Sequence, residues 1–240
     1  MYKVDMHCKV IGRRVFKRLE QRGIYGYLYA PHHSMFSDRS IRRIKNDIKE
    51  YEGEFNVFLG KEIEAKLGHT KVHVVGIGIQ ENMLDNEPLE YILENIQEQG
   101  GASVIAHPFA PFFGRVDYGK YKPLIDGIEI QNAQCTRGLN NKARKIAEEY
   151  DIQGIGSSYA HFARRAGAGW TIFKDEIEDT DELIQAIKKR EIDGVGRVHG
   201  ISGFIEDMTD YFCQSFHGAT YFATSFHRNR EIENYLNKDK

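Results

Sequence analysis

The chain has 240 residues, of which 41% are hydrophobic and 28% charged, and its formal net charge is -2. This composition provides for one sizeable core and argues against a protein that coats nucleic acid or carries an acidic tail. The three cysteines have no CxxC spacing, which excludes a disulfide framework and favours a reducing compartment. The first residues lack an apolar signal core, and no segment reaches the ~18 apolar residues of a membrane span. We therefore expect a cytoplasmic protein.

Seven short apolar runs, rich in Val, Ile, Phe and Tyr, are predicted to be buried strands. In chain order they cover residues 3–7, 27–33, 57–62, 72–75, 104–108, 128–132 and 155–161. These runs carry His, Glu or a chemically similar residue, mostly at their ends. Strand ends converge on one face of a parallel β/α protein, so side chains far apart in sequence would meet in one cleft.

Stretches with helical periodicity separate several of these strands. They cover residues 40–48, 87–99, 141–150 and 181–189, and each carries apolar residues at the spacing of one helix face. The residues at 179–181 provide capping groups for the last of them. An early basic run is interpreted as a solvated helix face; its members are Arg13, Arg14, Lys17 and Arg18. The alternation predicts an α/β fold with a parallel sheet, and seven strands favour closure into a barrel.

The pattern changes near residue 200, which divides the chain into two predicted parts. We expect a barrel over residues 1–200 and a C-terminal extension over residues 201–240 that packs on it. The extension is rich in Phe and Tyr. Those rings would be buried against the barrel or would form a surface for self-association.

Histidines are concentrated in the predicted strands. The chain has ten, and six of them fall in or just after an apolar run. These six are His7, His32, His33, His73, His107 and His161. A single strand-end His is more often a structural residue, but the joint pattern, together with strand-end carboxylates, predicts a metal site.

The strand ends also carry short motifs whose order along the chain resembles that of the PHP (polymerase and histidinol phosphatase) phosphoesterases. The matching segments are Asp-Met-His-Cys-Lys at 5–9, Ala-Pro-His-His at 30–33, Gly-Lys-Glu-Ile at 60–63, Ala-His-Pro at 106–108, Gly-Ile-Glu-Ile-Gln-Asn at 127–132 and Ser-Ser-Tyr-Ala-His at 157–161. Each motif is short, but together they are specific. The helix predicted at 181–189 is similar to a late helix of that family.

The resemblance implies a distorted (β/α)7 TIM-like barrel with metals at the strand ends and hydrolysis of phosphate esters by a metal-activated hydroxide. Carried over by position, His7 and Glu62 would hold a first metal. Glu62 would bridge to a second metal held by His73 and His107, and His32 with His161 would hold a third. Such ligands suit Zn, Mn or Fe.

Several further residues near the predicted strand ends are candidates for contacts with a phosphate group. The guanidinium group matches phosphate oxygens geometrically. Arg164 and Arg165 are predicted catalytic phosphate-binding residues, with His161 stabilising the leaving oxygen. Arg115, Arg137 and Asn132 are predicted to bind substrate. The alternative for the arginines is a set of surface ion pairs.

Three positions depart from the family pattern. Lys9 stands where the family has His, and Pro31 and Tyr159 stand where it has Asp. An ammonium cannot bind a metal and repels one nearby. We therefore expect Lys9 to occupy the space of the first metal and to pair with Glu62 or Asp5, which leaves one or two metals. The alternative is that Lys9 and Tyr159 turn outward.

The sequence thus favours a metal-dependent phosphoesterase that acts on a phosphorylated small molecule or nucleotide. A catalytically degenerate PHP module with a binding or structural role is the alternative, and a metal-dependent amidohydrolase on the same barrel is a further one. A membrane partner is not expected, and a nucleic acid is disfavoured. The sequence does not determine the substrate, the metal or the oligomeric state.

Overall fold

The computed structural model describes residues 1–32, 40–111 and 113–198. Residues Met1–Val198 form one compact unit. The predicted extension at 201–240 and the boundary near residue 200 lie outside the described residues and stay predictions, and His33 lies outside them too. Within the described ranges, no helix combines the length and the apolar character that crossing a membrane requires.

One sheet of nine strands dominates the part of the chain that the structure describes. Its strands are β1 Tyr2–Cys8, β2 Gly26–Tyr29, β3 Asn56–Leu67, β4 Thr70–Ile77, β5 Ala102–Ile105, β6 Gly127–Asn132, β7 Gln153–Ser157, β8 Gly169–Phe173 and β9 Ile192–Arg197. Their order is β7-β6-β5-β4-β3-β2-β1-β8-β9. All seven predicted strands are present, and β8 and β9 are additional. The expected distorted TIM-like barrel is confirmed.

Helices cover the outer side of this sheet. They are α1 Arg13–Gln21, α2 Ile41–Lys49, α3 Leu89–Glu98, α4 Tyr118–Tyr121, α5 Arg137–Glu149 and α6 Thr180–Lys188, with short 3-10 turns at Lys122–Leu124 and Ala163–Arg165. The basic run forms α1, which buries Val15, Phe16 and Leu19 on its other face. Helix α5 begins four residues before the predicted start, because the Thr136 side chain caps it by accepting the Leu139 N–H.

The expectation of a fully parallel sheet is wrong for β4. This strand runs antiparallel to both β3 and β5, since only Gly68 and His69 separate β3 from β4 and so short a connection forms a hairpin. Gly68 has a positive φ of 61° in this turn. The start of β4 therefore lies beside the carboxyl ends of the parallel strands, and the site receives His73 from the first half of its strand.

The barrel closes where β7 meets β1 and β8. Lys9 donates its backbone N–H to the carbonyl of Ala160 at 2.9 Å, just beyond the end of β1. The Thr171 hydroxyl of β8 accepts the N–H of Gly156 at 2.8 Å and lies 3.0 Å from its carbonyl oxygen. A Cβ atom at Gly156 would collide with the backbone of Trp170. This close approach requires glycine in β7.

The barrel interior is apolar at one end and polar at the other. Side chains near the starts of the parallel strands, such as Phe58 and Ala102, pack with Leu183, Ile184 and Ile187 of α6. Helix α6 therefore closes that end. The buried histidines and glutamates collect at the end of the barrel where the parallel strands have their carboxyl ends, and the candidate site lies there.

The Asp5 side chain stabilises the closed barrel by bonding to backbone groups on both sides of the closure. Its buried carboxylate accepts the backbone N–H groups of Ser158 (2.9 Å), Gly167 (2.8 Å) and His7 (3.3 Å). Asp5→Ala leaves these buried donors without an acceptor, at a cost of roughly 1–3 kcal/mol for each. We expect a loss of at least about 3 kcal/mol in the free energy of unfolding, measured by urea denaturation.

Asp5→Asn should lie between wild type and Asp5→Ala, because the amide keeps one acceptor oxygen. Asp193→Asn, at an exposed Asp paired with Lys174, is the control and should change little. Equal stability of Asp5→Ala and Asp193→Asn would refute the role given to Asp5.

Candidate metal centre

Glu62 lies at the middle of the candidate site. It sits on the inner face of β3 and is fully buried. Three imidazoles surround its Oε1 atom. The distances are 2.9 Å to His73 Nδ1, 3.3 Å to His107 Nε2 and 3.6 Å to His7 Nε2. The other carboxylate oxygen, Oε2, lies 2.5 Å from the Lys9 ammonium nitrogen.

These neighbours keep Glu62 ionised despite its burial. Burial raises the pKa of the carboxyl group. The Lys9 charge and the hydrogen bonds from His107 and His73 together lower it by more, so the pKa lies well below its usual range. Glu62 is therefore a carboxylate throughout the neutral pH range. One of its oxygens contacts the Lys9 ammonium, and the other faces the imidazoles.

A second buried carboxylate, Glu129 of β6, orients His7 and the backbone of His107. Its oxygens accept bonds from His7 Nδ1 (2.8 Å), the Ser157 hydroxyl (2.7 Å), the Asn132 amide (2.9 Å) and the His107 backbone N–H (2.8 Å). Burial raises the pKa of Glu129, but His7 counteracts this and the pKa falls to about 2. The His7–Glu129 bond turns the other ring nitrogen of His7 toward Glu62. Carboxylates commonly orient imidazoles in this way at metal sites.

Two groups of three residues place one ligand atom each within 4.8 Å of one another. The first consists of Glu62, His73 and His107, and the second of His32, Glu64 and His73. His73 belongs to both, because its Nδ1 atom faces Glu62 and its Nε2 atom lies 3.7 Å from Glu64. Glu64 was not predicted as a ligand. Its position two residues after Glu62 on a strand, hence on the same face, was the available signal.

The donor chemistry of these groups fits a divalent metal. Burial lowers the pKa of both His32 and His107, so their rings are neutral and can donate lone pairs. Among the residues that the structure describes, the buried His32 Nε2 atom has no hydrogen-bond partner. A buried polar atom of this kind requires an explanation, and a bound ion would provide one. The structure thus supports metal binding, and Zn, Mn and Fe all accept such ligands.

The three departures from the family pattern all touch this site. Lys9 donates to the Tyr159 hydroxyl at 3.1 Å, so neither side chain turns outward. The Tyr159 ring lies 4.9 Å from the His7 ring and 4.7 Å from the His107 ring, centroid to centroid. The Pro31 carbonyl accepts the Glu62 N–H at 3.2 Å, which keeps β2 beside β3 at the position of His32. Asp5, the other expected partner of Lys9, is bonded to backbone N–H groups instead.

His161 belongs to neither three-residue group within the described residues. Its Nδ1 atom lies 3.1 Å from the Tyr159 carbonyl oxygen and 3.5 Å from the side-chain amide of Gln134. Burial, followed by the nearby Lys9 charge, lowers the pKa of His161 to about 3. The ring is therefore neutral at physiological pH.

The predicted substrate residues occupy different environments. Arg165 is buried and donates to the Ala133 carbonyl at 3.3 Å, whereas Arg164 is exposed and its guanidinium lies over the Phe162 ring. Arg115 is exposed and donates to the Pro108 carbonyl, next to His107. Arg137 is exposed at the start of α5.

Asn132 is fully buried, and its amide bonds to Glu129. This location fits a hydrogen bond that supports the Glu129 carboxylate more directly than contact with a substrate.

An aromatic side chain that the sequence did not single out borders the site. The Phe113 ring lies 4.5 Å from the His73 ring and 5.1 Å from the His107 ring. It shields both imidazoles from water on that side. A single Phe in a loop carries no sequence signal for such a position.

Comparisons with known proteins match parts of this chain. The family model described as PHP-associated matches residues 137–192. An uncharacterized protein of Methanocaldococcus jannaschii is 26% identical over 129 residues, which cover 54% of this chain and 70% of that protein.

Two solved structures share the fold. PsfC from Pseudomonas syringae has a TM-score of 0.62 and 17% identity, with 90% of this chain and all of that chain covered. A two-domain protein of Bacteroides vulgatus, which contains a predicted PHP-like metal-dependent phosphoesterase, has a TM-score of 0.60 and 14% identity over 80% of this chain and 63% of that one. The family match covers residues 137–192, and the two solved structures show that the fold of this chain is that of known barrel proteins.

Proposed function

We propose that this chain is a metal-dependent phosphoesterase that hydrolyses phosphate esters at the centre around Glu62, with one or two divalent cations bound. The observation that carries the proposal is the convergence of Glu62, His73 and His107 within 4.8 Å. Imidazoles beside a buried carboxylate form a ligand set for Zn, Mn or Fe. The phosphoesterase named for the Bacteroides vulgatus relative supports the reaction class.

The first ion would be held by Glu62, His73 and His107. A neutral imidazole has one lone pair, so a second ion bound at the same time would be held by His32 and Glu64. When bound, a divalent ion lowers the pKa of water toward ~7 and stabilises charge on phosphate oxygens. The role of the protein is to hold these ligands in place. Glu129 orients His7 and the His107 backbone, while Phe113 and Tyr159 exclude water from the imidazoles.

His161 is proposed to act through the lone pair of its neutral ring. Because its Nδ1 atom faces the Tyr159 carbonyl, that nitrogen carries the hydrogen and Nε2 keeps a free lone pair. Burial lowers the pKa of His161 to about 3, so the ring resists protonation at neutral pH. The metal-ligand role that the resemblance implies therefore suits it better than proton transfer to a leaving oxygen. Arg164 and Arg115 are exposed and are proposed to bind the substrate phosphate. Their planar donor groups suit phosphate oxygens.

One observation favours the alternative of a non-catalytic PHP module. Lys9 already neutralises one oxygen of Glu62, and Tyr159 packs between His7 and His107. A site filled in this way can bind a ligand without turnover. Assays with a phosphomonoester and a phosphodiester, in the presence of added Mn or Zn, separate the two functions. Hydrolysis of neither ester by metal-loaded protein would establish the module and refute the enzyme.

His107 provides a direct test of the metal centre. His107→Ala removes one ligand of the first group and the ring that contacts Glu62, so we expect the metal of the first group and the hydrolysis of a phosphate ester both to be lost. Elemental analysis and calorimetric titration with Mn or Zn measure the first, and a chromogenic ester the second. His69→Ala, in the exposed turn between β3 and β4, is the matched control. Full metal content in His107→Ala would overturn the assignment.

Glu64 tests the second group separately. Glu64→Gln removes the carboxylate beside His32 and His73 but leaves Glu62 and His107 intact, so metal content should fall below that of wild type without reaching zero. Glu90→Gln, at an exposed Glu paired with Lys120, controls for the loss of a surface charge. Unchanged metal content in Glu64→Gln would remove Glu64 from the ligand set.

A further inference from the structure

Lys9 carries an ammonium group into the centre of the site. Its side chain is only 11% exposed. The Nζ atom contacts Glu62 Oε2, lies 3.1 Å from the Tyr159 hydroxyl and sits 4.3 Å from the centre of the Tyr159 ring. A carboxylate, a phenol oxygen and an aromatic face are all favourable partners for a cation. The three contacts surround the ammonium and hold it against Glu62.

The backbone also fixes both partners of this cluster. The N–H of Lys9 bonds to the carbonyl of Ala160, and Cys8 pairs with Ala160 where the barrel closes. Tyr159 directly precedes this contact and has a positive φ of 52°. A non-glycine residue in this conformation is held there by its surroundings. Lys9 and Tyr159 are therefore positioned by barrel closure and do not depend on a ligand.

The charge distribution shows what this ammonium does. Glu62 is a fully buried anion, and burial of an unpaired charge is strongly unfavourable. The imidazoles of His73, His107 and His7 all approach its Oε1 atom and leave Oε2 to Lys9. Lys9 supplies the positive charge on the Oε2 side, and the Oε1 side, with His73 and His107, stays open to a metal ion.

We propose that Lys9 is a built-in cation that replaces one metal ion on the Oε2 side of Glu62. The chain then folds with its centre assembled in the absence of metal, and Glu62 binds a metal through Oε1 alone. The first statement stands on the Lys9 contacts by themselves. The second rests on the function proposed above.

Urea unfolding in EDTA tests the first statement. Wild type should remain folded without metal, whereas Lys9→Met leaves Glu62 buried and unpaired and should raise the unfolding equilibrium constant at least roughly 100-fold. Lys120→Met, which breaks an exposed Lys–Glu pair, is the matched control and should shift the constant by less than about 5-fold.

A double variant keeps this test decisive if Lys9→Met is too unstable to purify. Lys9→Met with Glu62→Gln removes both charges and should be more stable in EDTA than Lys9→Met alone. Wild type that unfolds in EDTA, a Lys9→Met variant as stable as wild type, or a double variant no more stable than Lys9→Met would each overturn the proposal.

Metal content tests the second statement. Lys9→His with Tyr159→Asp replaces the ammonium and the phenol with two groups that bind metals. We expect this variant to hold one more divalent ion per chain than wild type, measured by elemental analysis after saturation with Mn. An equal metal content would overturn the replacement of a metal by Lys9. Wild type that binds no metal at all would instead refute the proposed enzyme and leave the EDTA result standing.

Discussion

The buried charge of Glu62 determines how the rest of the site is arranged. A carboxylate that is removed from water is stable only where cations and hydrogen-bond donors replace the lost hydration. Here Lys9 contacts one oxygen, and His73 and His107 contact the other. Each of these partners comes from a different strand or strand end. Retaining Glu62 in ionised form therefore requires the sheet to curve until β1, β4 and the end of β5 face it.

Glu129 has a complementary role, because it accepts four hydrogen bonds and faces no ammonium among the residues described. It supports His7 and the backbone at His107 from one side, while Glu62 engages their ring nitrogens from the other. The two carboxylates hold the imidazoles between them. Such a frame keeps ligand geometry fixed before any ion binds, which favours tight and selective metal binding.

Much of this arrangement could be predicted from the sequence, because buried strands leave clear apolar runs and metal-binding residue types stand at recognisable positions. The reversal of β4 could not, since it depends on the two-residue turn at Gly68 and His69 and not on strand composition. Glu64 resembled any polar residue on a half-exposed strand. Strand β8 is only five residues long and begins at a glycine, and β9 is interrupted by two glycines. The positions of Arg165 and Asn132 depend on long-range packing, which no local pattern encodes.

The pairing register of the β3–β4 hairpin decides which side chains face the site. Glu64 lies opposite His73, and Glu62 lies opposite Val75 in the same ladder. A shift of this ladder by one residue would turn every inward side chain outward. The length of the turn after Leu67 is thus as constrained as the ligands themselves. A slip of one residue in this pairing would therefore turn His73 away from Glu62 and Glu64 without altering any ligand.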